Sequence, residues 1–252
     1  MAGTAIRGRL RWLLAEAAEL VEETPEVRSI VLDAPGWPGH LPGQHVDIRL
    51  TAEDGYQAQR SYSIATPAED ERLTLTVERV PDGEASTYLL DELQIGDRFE
   101  LRGPIGGYFV WTPEIGGPLL LIGAGSGIVP LMAMIRHRVR SQSSLPVHLL
   151  VSSRSWDQVI YRAELERLGS EGNDPRVVHT LTRTQPPGWT GYRRRVDREM
   201  IGEVAPPPME RPLCYVCGPT GFVEAVATSL VDLGHDPARV KTERFGPTGG
   251  NG

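Results

Sequence analysis

Two short stretches hold the residue types that could do chemistry. Arg60-Ser61-Tyr62-Ser63 sets a guanidinium, an aromatic ring and a hydroxyl along one extended segment. The arginine can fork onto a pyrophosphate, the tyrosine can stack on a ring face and Ser63 can hydrogen-bond at a ring edge. That set suits a flavin, although the tetrapeptide alone reads equally as an amphipathic strand. Far downstream, Cys217-Gly218-Pro219 closes the apolar run 213–216. A compact, polarizable thiol before Gly-Pro lets a second ring approach closely, which suits a nicotinamide, although a buried core thiol explains it too.

Phosphate sites flank both stretches. Gly83, then Ser86 and Thr87 at the start of a helical stretch 86–93, offer amides, hydroxyls and about half a positive charge to a diphosphate. The same residues also serve as a plain helix cap. The turn Gly123-Ala124-Gly125-Ser126-Gly127 lies between an apolar strand and a helix, where a backbone nest can hold a second pyrophosphate. It departs from the G-x-G-x-x-G fingerprint because Ile128 holds the sixth position. Ser153-Arg154 and Tyr161 after the next strand, with Arg183 after the third, could surround a 2′-phosphate, and no acid ends the second strand to grip a ribose diol. This favours NADPH, with NADH left open by Asp157.

These residues need two kinds of scaffold. The segments 14–22, 27–32, 45–50, 60–64, 72–78 and 98–101 read as short strands punctuated by Pro42-Gly43, Asp54-Gly55 and Asp82-Gly83, the spacing of a small antiparallel barrel. From Pro118 the pattern becomes strand, glycine turn, helix: strands 119–122, 147–151, 177–181 and 213–216 alternate with helices 129–140, 158–168 and 221–233. Such alternation predicts a parallel sheet with helices on both faces, and a boundary near 112–117.

Composition sets limits. The 252 residues are 40% hydrophobic and 23% charged, ordinary for a globular chain with a sizeable core. No apolar stretch approaches the roughly 18 to 20 residues of a membrane span, so the cytoplasm is the expected location. Two cysteines are too few for a four-thiolate iron–sulfur or zinc site, and no metal is expected. Cys214 and Cys217, three apart on a strand, face opposite ways, which argues against a redox pair. Residues 1–115 hold 10 Arg and 20 acids, whereas the rest holds 16 basic residues and 13 acids, so anionic ligands belong with the second half. The acidic balance, without basic–aromatic interleaving, argues against nucleic acid.

In order, RSYSIATP, GEASTYL, GPIGGYFVW, LIGAGSGIVPLMAM and YVCGPTGF resemble the ferredoxin–NADP reductase family across nearly the whole chain. The resemblance implies an N-terminal antiparallel six-stranded FAD-binding β-barrel, residues 1–114, followed by a C-terminal parallel α/β NAD(P)-binding domain, residues 115–252. It implies FAD rather than FMN, with Arg60, Tyr62 and Ser63 at the flavin and Ser86-Thr87 at its pyrophosphate. Gly103-Pro104 and Gly106-Gly107 would close the barrel. Cys217, with Gly218 and Pro219, would sit near the nicotinamide carbon, Glu243 at the back of the active site, and Phe245 over the flavin edge. The glycine-rich end after Phe245 departs from relatives that finish on an aromatic residue, and no aromatic clamp for an adenine follows Glu78.

The activity so implied is hydride transfer from NADPH to FAD, with Ser63, Cys217 and Glu243 at the reacting rings. Single electrons then pass to a separate ferredoxin-like or oxygenase partner. The runs Arg193-Arg194-Arg195 and 136–140 could receive an acidic partner, although an arginine run also reads as a solvated face. Two alternatives stay open: a reductase of free flavin or ferric chelates, and a non-catalytic electron-transfer subunit of a larger redox complex. Sequence leaves the oligomeric state unassigned.

Overall fold

Alternation of buried and exposed residues builds the first sheet. In this computed structural model, which describes residues 10–170 and 174–245, six strands form it: β1 (Trp12–Thr24), β2 (Val27–Asp33), β3 (His45–Thr51), β4 (Gln57–Ser63), β5 (Leu73–Glu78) and β6 (Arg98–Ile105). Their order is β4-β3-β6-β1-β2-β5, with antiparallel pairing throughout. An isolated bridge between Ile64, just past β4, and Leu75 of β5 draws the two outer strands together and closes the sheet into a barrel. Ala15, Ile30, Leu32, Val46, Ile48, Leu75, Val77 and Leu101 fill its interior.

A short helix follows β5. The helical stretch expected over 86–93 begins two residues earlier as α1 (Glu84–Thr87), with Gly83 as its N-cap and no side-chain cap, and continues as a wider turn over Tyr88–Glu92.

The second sheet is parallel and buried on both faces. β7 (Leu119–Ala124), β8 (Val147–Ser153), β9 (Arg176–Leu181), β10 (Leu213–Pro219) and β11 (Val240–Phe245) lie in the order β11-β10-β7-β8-β9. The unbroken apolar run of β7 follows from this. Leu119 and Leu121 enter one core with α2 (Ile128–Arg140) and α3 (Arg162–Ser170), whereas Leu120 and Ile122 enter the other with α4 (Arg198–Val204) and α5 (Thr220–Asp232). Cys217 belongs to the first core and Cys214 to the second, so the two thiols do face opposite ways.

The expected helix 158–168 is shorter. A 3₁₀ turn over Trp156–Gln158 leads into buried Val159 and Ile160, and Tyr161 takes a left-handed φ of 58° that delays the helix to Arg162. Two elements escaped the sequence reading. α4 is capped by Asp197, whose side chain accepts from the Met200 amide at 2.8 Å, and β11 is held by its pairing with β10. Among the described residues no helix is long and apolar enough to cross a membrane.

Candidate active site at the junction of the two sheets

The barrel presents its candidate residues on β4. Tyr62 packs against the barrel core, and burial pushes its phenol up to about 12. Arg60 is exposed, its guanidinium donating to the neighbouring Gln59 carbonyl at 2.7 Å. Ser63 is 5% exposed, and its hydroxyl has no hydrogen-bond partner among the described residues. Such an orphan group calls for a partner from outside the chain. Tyr56, just before β4, donates to Glu84 at 3.0 Å, which brings the start of α1 alongside Arg60's strand. Ser86 is turned inward: it is 3% exposed, accepts from the Val80 amide at 3.1 Å and donates to the Gly83 carbonyl at 2.9 Å. Its hydroxyl shapes the turn, so Thr87 and the backbone amides are what the turn has left to offer a phosphate.

The parallel sheet presents the other half at the C-terminal ends of its strands, where ligands of open α/β sheets bind. Cys217 lies between Gly123 and Glu243 in register. It is fully buried, and burial together with the Glu243 charge pushes its thiol well above the usual range, so it stays protonated. Gly127 is required by close approach: a Cβ there would lie 2.2 Å from the Cys217 carbonyl oxygen. Gly218 has a φ of 155° and would place a Cβ 2.9 Å from Phe222. Pro219 pairs with Phe245, which packs against the α/β core; the glycine-rich end beyond Phe245 lies outside the described residues.

Burial raises the Glu243 carboxyl to about 7 and leaves its Oε2 without a hydrogen-bond partner among the described residues. Across the junction, His45 Nδ1 lies 3.8 Å from Glu243 Oε1. Burial lowers the imidazole's pKa, with Asp47 opposing. Both groups are thus driven toward their neutral forms, and the contact is no fixed ion pair at neutral pH. His45 sits opposite Ser63 in the β3–β4 register. The chain therefore brings Ser63, His45, Glu243 and Cys217 into one neighbourhood from both sheets.

Farther out, Ser153 is 8% exposed, and its carbonyl accepts the Thr182 amide at 2.9 Å. The Arg154 carbonyl accepts the Arg183 amide at 2.9 Å, which sets two exposed arginines side by side. Neither makes a side-chain ion pair among the described residues. Tyr161 does not join them. It is 5% exposed, its hydroxyl pairs with Thr76 Oγ1 in the barrel, and the Arg136 guanidinium lies 4.5 Å over its ring. It is a bonded contact between the two sheets, and the sequence-based assignment of Tyr161 to a phosphate is corrected on that ground.

The glycine turn makes one contact that sequence reasoning missed. The Ser126 amide donates to Glu78 Oε2 of the barrel at 2.9 Å. His45 was missed as well, although hairpin counting from Asp54-Gly55 places it opposite Ser63. The residues present fit a flavin beside a dinucleotide: an orphan hydroxyl on the barrel, an exposed arginine on the same strand, and a glycine turn too crowded for any Cβ at Gly127.

Two family models match the chain, an oxidoreductase FAD-binding domain over residues 22–110 and an oxidoreductase NAD-binding domain over residues 121–228. The glycine betaine monooxygenase reductase subunit of Pseudomonas aeruginosa is 32% identical over 93% of this chain, which spans 64% of that protein. NADH-cytochrome b5 reductase 1 of Aspergillus terreus is 33% identical over 78% of this chain and 68% of its own length. Among solved structures, the Amycolatopsis cytochrome P450 reductase GcoB superposes with a TM-score of 0.82 at 30% identity, covering 97% of this chain and 74% of that one. The FAD/NAD-binding domain of nitric oxide dioxygenase from Vibrio cholerae gives 0.80 at 26% identity, covering 93% and 99%.

Proposed function

Because this chain belongs to the FAD- and NAD(P)-binding oxidoreductases of the ferredoxin reductase type, we propose that it is the reductase of an electron-transfer system, moving reducing equivalents from NADPH to a separate ferredoxin-like or oxygenase partner. The bound flavin would supply the redox chemistry, accepting a hydride and releasing electrons singly. The chain's own residues bind, orient and exclude water. Arg60 and the amides at the start of α1 hold the diphosphate, Tyr62 gives a stacking face, and the Ser63 hydroxyl donates to the ring edge. The protonated Cys217 thiol packs as a small neutral group and does not act as a nucleophile. Glu243, near half protonation at pH 7, holds a proton beside it. Arg154 and Arg183 take the 2′-phosphate, which is the reason for naming NADPH before NADH.

The observation that carries this reading is the orphan Ser63 hydroxyl, buried in the neighbourhood shared by His45, Glu243 and Cys217. Reductase components of oxygenase systems among the relatives support the choice of partner. Two free, buried cysteines suit the reducing cytoplasm in which we place the protein. Stopped-flow reduction of the bound flavin tests the roles. Ser63→Ala should slow it about tenfold to a hundredfold, as loss of a positioned hydrogen bond does, and Cys217→Ser should slow it as well, because a smaller, more polar hydroxyl replaces the polarizable thiol packed at the ring. Unchanged rates in both variants would remove these residues from the site.

A further inference from the structure

We propose that Glu78 is a built-in competitor for the anion-binding glycine turn, a carboxylate that the phosphates of an incoming dinucleotide must displace. The inference rests on the function proposed above and adds to it a residue that sets how tightly the dinucleotide binds.

Glu78 is the last residue of β5, and its carboxylate reaches out of the barrel to the turn that opens α2. Its Oε2 accepts the Ser126 amide at 2.9 Å. A Cβ on Gly125 would lie 3.2 Å from Oε2 and 3.5 Å from Oε1, so both oxygens lie against the turn. Gly125 has a φ of 54°, and Gly127 is pressed against the Cys217 carbonyl on the other side. The turn is thus clamped between a barrel carboxylate and the end of β10.

An amide nest at the start of a 13-residue helix favours an anion. Here the anion is supplied by the chain itself. No cation on the barrel neutralises it: the adjacent Arg79 is paired with Glu26 and Asp91, and no ion pair to Glu78 occurs among the described residues. A carboxylate and a phosphate in the same nest would repel each other, so Glu78 must swing away when a phosphate enters. The contact also crosses from one sheet to the other, which makes dinucleotide entry break a tie between them.

The test is calorimetric titration of the oxidised, FAD-loaded protein with NADP+ and with NAD+, comparing wild type with Glu78→Gln and Glu78→Ala. Glu78→Gln removes the charge and keeps the shape; Glu78→Ala removes the occupant. Both should tighten both dinucleotides about tenfold, because the pyrophosphate is common to the two and one charge at a helix start has an effect of that order. Affinities within twofold of wild type, or weaker, would overturn the inference while leaving the proposed function standing. Failure of wild type and variants alike to bind either dinucleotide at millimolar concentration would sink the proposed function and the inference with it.

Discussion

Replacing Gly127 by alanine should damage stability and chemistry together, by amounts that follow from one contact. The added Cβ would lie 2.2 Å from the Cys217 carbonyl oxygen, 2.5 Å from its carbon and 2.8 Å from the Gly218 nitrogen. All three atoms are backbone, and β10 is bonded on both sides, to β7 and β11. Relief to an ordinary contact needs about 1.2 Å of movement in a clamped strand, at the upper end of the roughly 1–3 kcal/mol range for overpacking. With about 2–4 °C per kcal/mol for a chain of this size, the melting temperature should fall by roughly 6–12 °C. The displaced residues are Cys217 and Gly218, so flavin reduction by NADPH should slow about a hundredfold, the usual penalty for a 1 Å misplacement. Gly202→Ala is the control. It lies within α4, where a Cβ meets only Leu233 at 3.7 Å, and it should stabilise by about 0.5–1 kcal/mol. Thermal unfolding and anaerobic stopped-flow absorbance read the two effects. A Gly127→Ala variant that matches wild type in both would refute the close-approach argument.

Further outcomes follow from charge. Native Glu243 has its carboxyl raised to about 7 by burial, above its ordinary value of 4.5, so it holds its proton more tightly than the unfolded chain does. Stability should therefore fall as pH rises from about 4.5 to 7, and Glu243→Gln should flatten that slope and gain roughly 1–3 kcal/mol at pH 8 by denaturant unfolding. An unchanged slope would place the carboxyl in water. Arg154→Ser and Arg183→Ser should each raise KM for NADPH about tenfold or more and leave KM for NADH within about twofold, because a lost contact to a charged phosphate affects only the phosphorylated cofactor. Equal effects on both cofactors would move the 2′-phosphate elsewhere.

Both sheets were legible because their patterns differ in period. The barrel strands alternate, whereas Leu119–Ala124 is apolar throughout, as a strand covered on both faces must be. The failures share a cause in tertiary packing. Tyr161 reads from sequence as a 2′-phosphate ligand within the helix expected over 158–168, yet its left-handed backbone turns it against Thr76, 85 residues away in the chain. β11 carries Lys241, Thr242, Glu243 and Arg244, a polar string that no strand pattern announces, and its pairing with β10 is what buries Glu243. Ser86 looked like a cap because of its position, but the preceding turn uses its hydroxyl. The contact of Glu78 with Ser126 depends on how the sheets pack and has no local signature.

The central claim is that one chain holds a flavin and a nicotinamide in reach of each other. An anaerobic absorbance spectrum of the purified, FAD-supplemented protein, titrated separately with NADPH and NADH, tests it most directly. The account predicts a bound flavin band that bleaches at about one equivalent of either nucleotide, and faster with NADPH than with NADH. A protein that retains no flavin band after FAD is added, or whose band is unmoved by either nucleotide, would contradict it.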